Sequence, residues 1–130
     1  MDALERLLAE KDIRDLIGTY AQLDDDGDAE ALSLLFAADG AVHVAGRIID
    51  GRSQIRDWVS GVVATRELRH LMTNERLTVE SEDVASGSVD MTLLEREAGV
   101  WRVASTHRYR DRYVKQGGAW RFARREITIW

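Results

Sequence analysis

The stretch YAQLDDDGD, residues 20–28, sets a tyrosine ahead of three consecutive aspartates. Neighbouring carboxylates repel, and a solvated helix end accounts for Asp26 and Asp28. An aspartate that turns inward can instead assist a proton transfer. On a helix continued through residue 25, Asp24 lies four residues after Tyr20 and shares its face, while Asp25 is rotated away. The base such a carboxylate could serve is His70, in RHLMTNER, where Met72 and Asn74 share its strand face. Neutral imidazole is a competent base near physiological pH. His43 ranks below it, because Val42 and Val44 claim the core side of its strand. Three histidines without matched carboxylate spacing give no expectation of a metal site. The absence of cysteine excludes disulfides and thiolate ligands.

A second source of polar side chains is residues 101–114, which period two sorts into two faces. One carries Trp101, Val103, Ser105, His107, Tyr109, Asp111 and Tyr113; the other carries Arg102, Ala104, Thr106, Arg108, Arg110 and Arg112. The arginine face is expected in solvent or against another subunit. The opposite face then looks toward the helices. Its row of His, Tyr and Asp needs partners or water, because an unsatisfied buried polar group costs roughly 1–3 kcal/mol. An enclosed cavity supplies both.

These groups must be positioned by helices first and strands afterwards. Residues 2 to about 24 have helical periodicity, with one apolar stripe at Leu4, Leu7 and Leu8 and a second at Ile13, Leu16, Ile17, Tyr20 and Leu23. The stripes fall on nearly opposite sides, so either the helix breaks near Asp12 or its first turns pack on something different. Gly27 is a plausible C-cap. A short helix follows, expected to bury Leu32, Leu34, Leu35 and Phe36 and to close at AADG. AVHVAGRIIDG reads as a strand and its return, with Asp50-Gly51 as a turn signal. RSQIRDWVSGVVA has helical spacing at Ile55, Trp58, Val59 and Val62, with Ser53 able to cap it. From residue 69 four strands follow, separated by SED, EAG and QGG. This order is that of an α+β domain, a curved antiparallel sheet with helices against one face.

At 130 residues with net charge -5, a single domain spanning 1–130 is expected, and nucleic acid is not an expected partner. The arginines near the C-terminus are explained by strand alternation. No apolar run approaches membrane-spanning length, and the N-terminus lacks the basic start and long apolar core of a signal peptide. A cytoplasmic protein with no membrane partner is the expectation.

The strings IRDLIGTYAQLDDDGDAEALSLLFAADG, IIDGRSQIRDWV, RHLMTN and YRDRYVKQGGAWRFARRE, in this element order, resemble the SnoaL-like branch of the nuclear-transport-factor-2-like superfamily. The resemblance spans nearly the whole chain. It implies a cone-shaped α+β fold, a curved antiparallel or mixed sheet wrapped around N-terminal helices. The same cone serves scytalone dehydratase, ketosteroid isomerases, polyketide cyclases, bile-acid dehydratases and hexachlorocyclohexane dehydrochlorinase, and also non-catalytic subunits.

The family's tyrosine and the aspartate five positions later fall here on Tyr20 and Asp25. The histidine set beside that aspartate falls on His70, within the dehydrochlorinase-like string HLMTN. The family's later Y-x-D falls on Tyr109 and Asp111. The resemblance thus favours Asp25 over Asp24, with the helix ending or tightening near Leu23. Two departures separate this chain from the named enzymes. The dehydrochlorinase is basic where Tyr20 stands, and scytalone dehydratase has a tyrosine in place of Asp24 and a serine and asparagine where His107 and Tyr109 stand.

What the resemblance implies is a cofactor-independent lyase or isomerase. His70 would abstract a proton from carbon, Asp25 would hold the charge that develops, and Tyr20, Tyr109 or protonated His107 would donate to a leaving oxygen or enolate. Asp24, Asn74, His107, Tyr109, Asp111, Phe36 and Trp58 are the expected substrate contacts, with Leu16 and Val103 as further apolar walls. The substrate would be a hydrophobic, cyclic small molecule. The alternative from another class is a ligand-binding or assembly module like the β subunit of ring-hydroxylating dioxygenases. An epoxide hydrolase of the limonene type would need an Asp–Arg–Asp set, and no arginine is clearly placed inward on the pocket strand. A homodimer or homotrimer is expected.

Overall fold

The computed structural model describes residues 1–63 and 66–130, residue 63 by its backbone only. Helix α1 (Ala3–Asp25) starts at a capping box, in which the Asp2 side chain accepts from the Glu5 N–H and the Glu5 side chain from the Asp2 N–H, each at 2.8 Å. It runs unbroken to Asp25, with Gly27 just beyond the cap in the left-handed region. The helix therefore neither breaks at Asp12 nor tightens at Leu23. Its second apolar stripe is buried except for the half-buried Leu23, and the first stripe (Leu4, Leu7, Leu8) stays more than half exposed.

Helix α2 (Ala29–Ser33) is one turn capped by Asp28. It buries Leu32 and leaves Leu34 exposed. Phe36 and the AADG that follows are extended, because strand β1 (Phe36–Val44) begins there. β1 returns as β2 (Arg47–Asp50) through Ala45-Gly46, both with positive φ. That pair is the hairpin turn. Asp50-Gly51 is instead the junction to α3 (Gly51–Val63), where the Gln54 side chain accepts from the Asp50 N–H. The helix thus starts two residues before Ser53; residue 64, the last of the predicted stretch, lies outside the described residues.

Strands β3 (Glu67–Val79), β4 (Val84–Glu97), β5 (Val100–Gln116) and β6 (Ala119–Ile129) form an antiparallel meander, and β1 joins β6 in parallel. The sheet order is β2-β1-β6-β5-β4-β3, open at both ends. Ala98-Gly99 and Gly117-Gly118, all with positive φ, make the two tight turns that EAG and QGG announce. α1 lies across the inner face, where Tyr20, Phe36, Tyr113 and Phe122 pack ring against ring.

Bulges decide which residues face inward, because one extra residue shifts the two-residue alternation. In β5 the pairing jumps from Ser105 to Val103, leaving Ala104 unmatched. Trp101 and Val103 thereby move to the outer face, 41% and 60% exposed, and Val103 is no pocket wall. In β6 the pairing jumps from Phe122 to Arg124 across Ala123. In β3 it breaks between Thr73 and Arg76, with Asn74 at φ 57.

Opposite that last bulge, a Cβ on Gly87 would meet the Arg76 carbonyl oxygen at 2.4 Å. Backbone cannot give way as a side-chain tip can. Gly87→Ala is therefore expected to cost about 1–3 kcal/mol, checked by urea unfolding against the parent chain.

Candidate active site

The C-terminal turn of α1 meets β3, the edge strand of the sheet. An edge strand has backbone donors that no ladder consumes. Here Asp25 takes one of them: its Oδ1 accepts the His70 N–H at 2.8 Å and lies 2.8 Å from His70 Nδ1. On the other side of the ring, Asp24 Oδ2 stands 3.2 Å from Nε2. The question of which aspartate turns inward thus has a two-part answer, since each stands beside a different ring nitrogen. All three side chains are buried, His70 8% exposed and each aspartate 12%.

With Nδ1–H donating to Asp25, the remaining chemistry of the ring is at Nε2. Burial pushes the Asp24 carboxyl above the usual carboxylate range, and the neighbouring His70 pulls it back down.

Asp24 and His70 both lie on the wall of a cavity of about 350 Å³, whereas Asp25 stands behind them. The other walls are mainly apolar: Trp58 and Val59 from α3, Met91 and Leu93 from β4, Ile127 from β6. Ser105, His107 and Tyr109 of β5 supply polar groups facing the same space. His107 Nε2 is 2.7 Å from Ser105 Oγ, and its Nδ1 is buried without a protein partner. Burial, then the proximity of His70, pulls the His107 pKa down, which favours a neutral ring. Burial pushes the Tyr109 hydroxyl up, so it stays a donor. Among the described residues no group of three or more histidine, cysteine or carboxylate side chains is arranged to hold a metal ion. None of the described helices is long and apolar enough to cross a membrane.

A family model described as SnoaL-like domain matches residues 5–126. The chain belongs to the SnoaL-like domain family. Solved structures agree on its fold. A variant of Rv3472, a protein of unknown function from Mycobacterium tuberculosis, is 27% identical over 100% of this chain and 77% of its own, with TM-score 0.94. A nuclear-transport-factor-2-like protein with a cystatin-like fold from Novosphingobium aromaticivorans is 29% identical, covering 95% of this chain and 84% of its own, with TM-score 0.87. A protein from the same organism assigned as a scytalone dehydratase is 22% identical over 99% of this chain and 89% of its own, with TM-score 0.88, a likeness of fold alone. No curated protein matches the chain.

Within this SnoaL-like domain several expected site residues stand away from the cavity. Asn74, turned out by the β3 bulge, is exposed and donates to Asp90 Oδ2 at 3.1 Å. Phe36 and Leu16 are buried in the core without lining the cavity. Tyr20 is buried behind the wall, its ring 6.4 Å from that of Tyr109.

Asp111 is also buried, and what holds it there is a residue that sequence reasoning missed. The Arg125 guanidinium donates from Nε to Asp111 Oδ1 at 2.9 Å and from Nη2 to Oδ2 at 3.0 Å, and Tyr113 donates to Oδ2 at 2.9 Å. Arg125 also stacks 4.2–4.3 Å from the ring centres of Tyr20, Tyr109 and Phe122. An arginine does face inward, then, but on the neighbouring strand and beneath the cavity rather than in it. The signal was in the apolar positions of β6: Trp120 and Phe122 are even, Ile127 and Ile129 odd. That change of phase requires a bulge between them and turns Arg125 inward instead of Arg124.

Proposed function

We propose that this SnoaL-like domain is a cofactor-independent lyase or isomerase that removes a proton from carbon beside an activating group of a hydrophobic, cyclic small molecule. The observation that carries this reading is His70, fixed through Nδ1 and its backbone N–H by Asp25, at the wall of an apolar cavity of about 350 Å³. In that dyad the carboxylate sets the ring's tautomer and compensates the charge that forms when the imidazole takes up a proton. The C–H electron pair moves into a new C=C bond. If it expels a hydroxyl or halide at the next carbon, the result is a lyase; if a proton returns at a different carbon of the enolate, the result is an isomerase.

Tyr109, kept protonated by burial, supplies a donor for the leaving oxygen or the enolate oxygen. His107 Nδ1, buried and without a protein partner, offers a second polar contact. An open, lined cavity and an aspartate turned toward histidine rather than solvent favour catalysis over an assembly role.

The test needs no natural substrate. 2-Tetralone is a two-ring ketone with acidic C–H bonds beside its carbonyl. In D₂O the wild-type protein is expected to accelerate exchange of those protons above the buffer rate, followed by proton NMR. His70→Ala should return the rate to background. Exchange equal in wild type and His70→Ala, or absent from both across a series of such cyclic ketones, would overturn the reading.

A further inference from the structure

The geometry points to Asp24 as the group that exchanges the proton with the bound molecule, with His70 and Asp25 behind it as a relay. This rests on the proton-transfer reading above and assigns a role that reading leaves open. Both nitrogens of His70 face an aspartate: Nδ1 is hydrogen-bonded to Asp25 Oδ1 at 2.8 Å, and Nε2 lies 3.2 Å from Asp24 Oδ2. A ligand carbon that approaches Nε2 therefore meets the Asp24 carboxyl beside it. Asp24 lines the cavity beside His70 and is contacted by it at one oxygen, Oδ2. In the forward step the Asp24 carboxylate takes the carbon-bound proton, and the carboxyl so formed passes a proton across the 3.2 Å contact to Nε2 of the neutral His70 ring. Asp25 then faces the imidazolium. No atom beyond these three side chains and the ligand is needed, and the reverse sequence returns the proton.

The surroundings suit a carboxyl that changes its charge during turnover. Asp24 is faced by His70 from β3, by Asp25 and Tyr20 from its own helix, by Tyr109 from β5 and by Arg125 from β6. His107 and Arg66, the latter paired with Glu95, share the cavity, and α3 presents the apolar Trp58, Val59 and Val62. Burial is the largest influence and raises the Asp24 pKa. A carboxyl whose folded pKa exceeds its unfolded value binds more protons in the folded state. Stability is then lost as pH rises from the unfolded pKa through the folded one. Asp24→Asn should accordingly melt at or above the wild-type temperature at pH 7, and that advantage should vanish below the unfolded pKa of roughly 3.9. A residue that only tethers His70 would give the opposite result, a lower melting temperature at pH 7.

The deciding experiment is 2-tetralone exchange in Asp24→Asn, which keeps the shape of the side chain beside Nε2 but cannot carry the proton. The rate at saturating probe should fall about 10²- to 10⁴-fold, with half-saturation little changed, and sodium formate should restore part of it in Asp24→Ala. Loss in His70→Ala and Asp25→Asn, with Asp24→Asn within threefold of wild type, would overturn the Asp24 assignment and leave the dyad standing. Full activity in all of these variants would overturn both. If Asp24→Asn does not fold, formate rescue of Asp24→Ala decides alone: no rescue removes the proposal.

Discussion

Asp25→Asn is expected to lower the rate of carbon-proton exchange about 10²- to 10⁴-fold while leaving the protein folded. The asparagine oxygen can still accept the His70 N–H that Asp25 Oδ1 accepts at 2.8 Å, so β3 should stay docked on the end of α1. What disappears is the negative charge beside Nδ1. An imidazolium formed during turnover then lacks its counter-charge in a site where it is only 8% exposed and water cannot supply the difference. The amide can also present its NH₂ to the ring and favour the other tautomer. The measurement is the exchange rate at saturating 2-tetralone together with a thermal melt. A rate within threefold of wild type would reduce Asp25 to a tether for the edge strand.

The second large effect concerns stability. Asp111→Ala is expected to destabilise the fold by about 3–5 kcal/mol, a fall in melting temperature of roughly 10–20 °C for a domain of this size. Asp111 and Arg125 have fully buried side chains, and removing the carboxylate strands a guanidinium that no water reaches. It also orphans the Tyr113 hydroxyl. The cost is that of an uncompensated charge, which makes a specific pairwise claim possible: Asp111→Ala with Arg125→Met should recover most of the loss, because the double variant has no buried charge to satisfy. Denaturant unfolding of the four members of this cycle provides the check. Equal losses in the single and double variants would mean that packing, not charge, accounts for the effect. Because Arg125 also stacks on Tyr109, which lines the cavity, the pair supports the floor of the candidate site from below.

Much of this was legible in the residues. The helical period of residues 13–23, the two-residue alternation of the later strands and the glycines at EAG and QGG gave the order of elements. Their types and spacing also singled out His70, Tyr109 and the acidic end of the first helix. The misread strand faces share one cause. Period-two counting carries a face along a strand only while the backbone adds no extra residue. Ala104, Ala123 and the Asn74 bulge each break the count, which moved Val103 and Asn74 out and Arg125 in. An alanine or asparagine at those places has no side chain that marks an insertion.

The choice between Asp24 and Asp25 belonged to the tertiary structure for a different reason. A helical wheel treats an inward direction as a single target. The ring of His70 instead enters between two consecutive helix residues, about 100° apart around the axis, and offers each a separate nitrogen. The sequence by itself determined that carboxylates and a histidine would be available near the end of α1. Only the crossing of an edge strand over that helix end decided that one carboxylate would stand behind the ring and the other in front of it. Such a crossing depends on where β3 docks across a sequence separation of 45, and no local pattern encodes it.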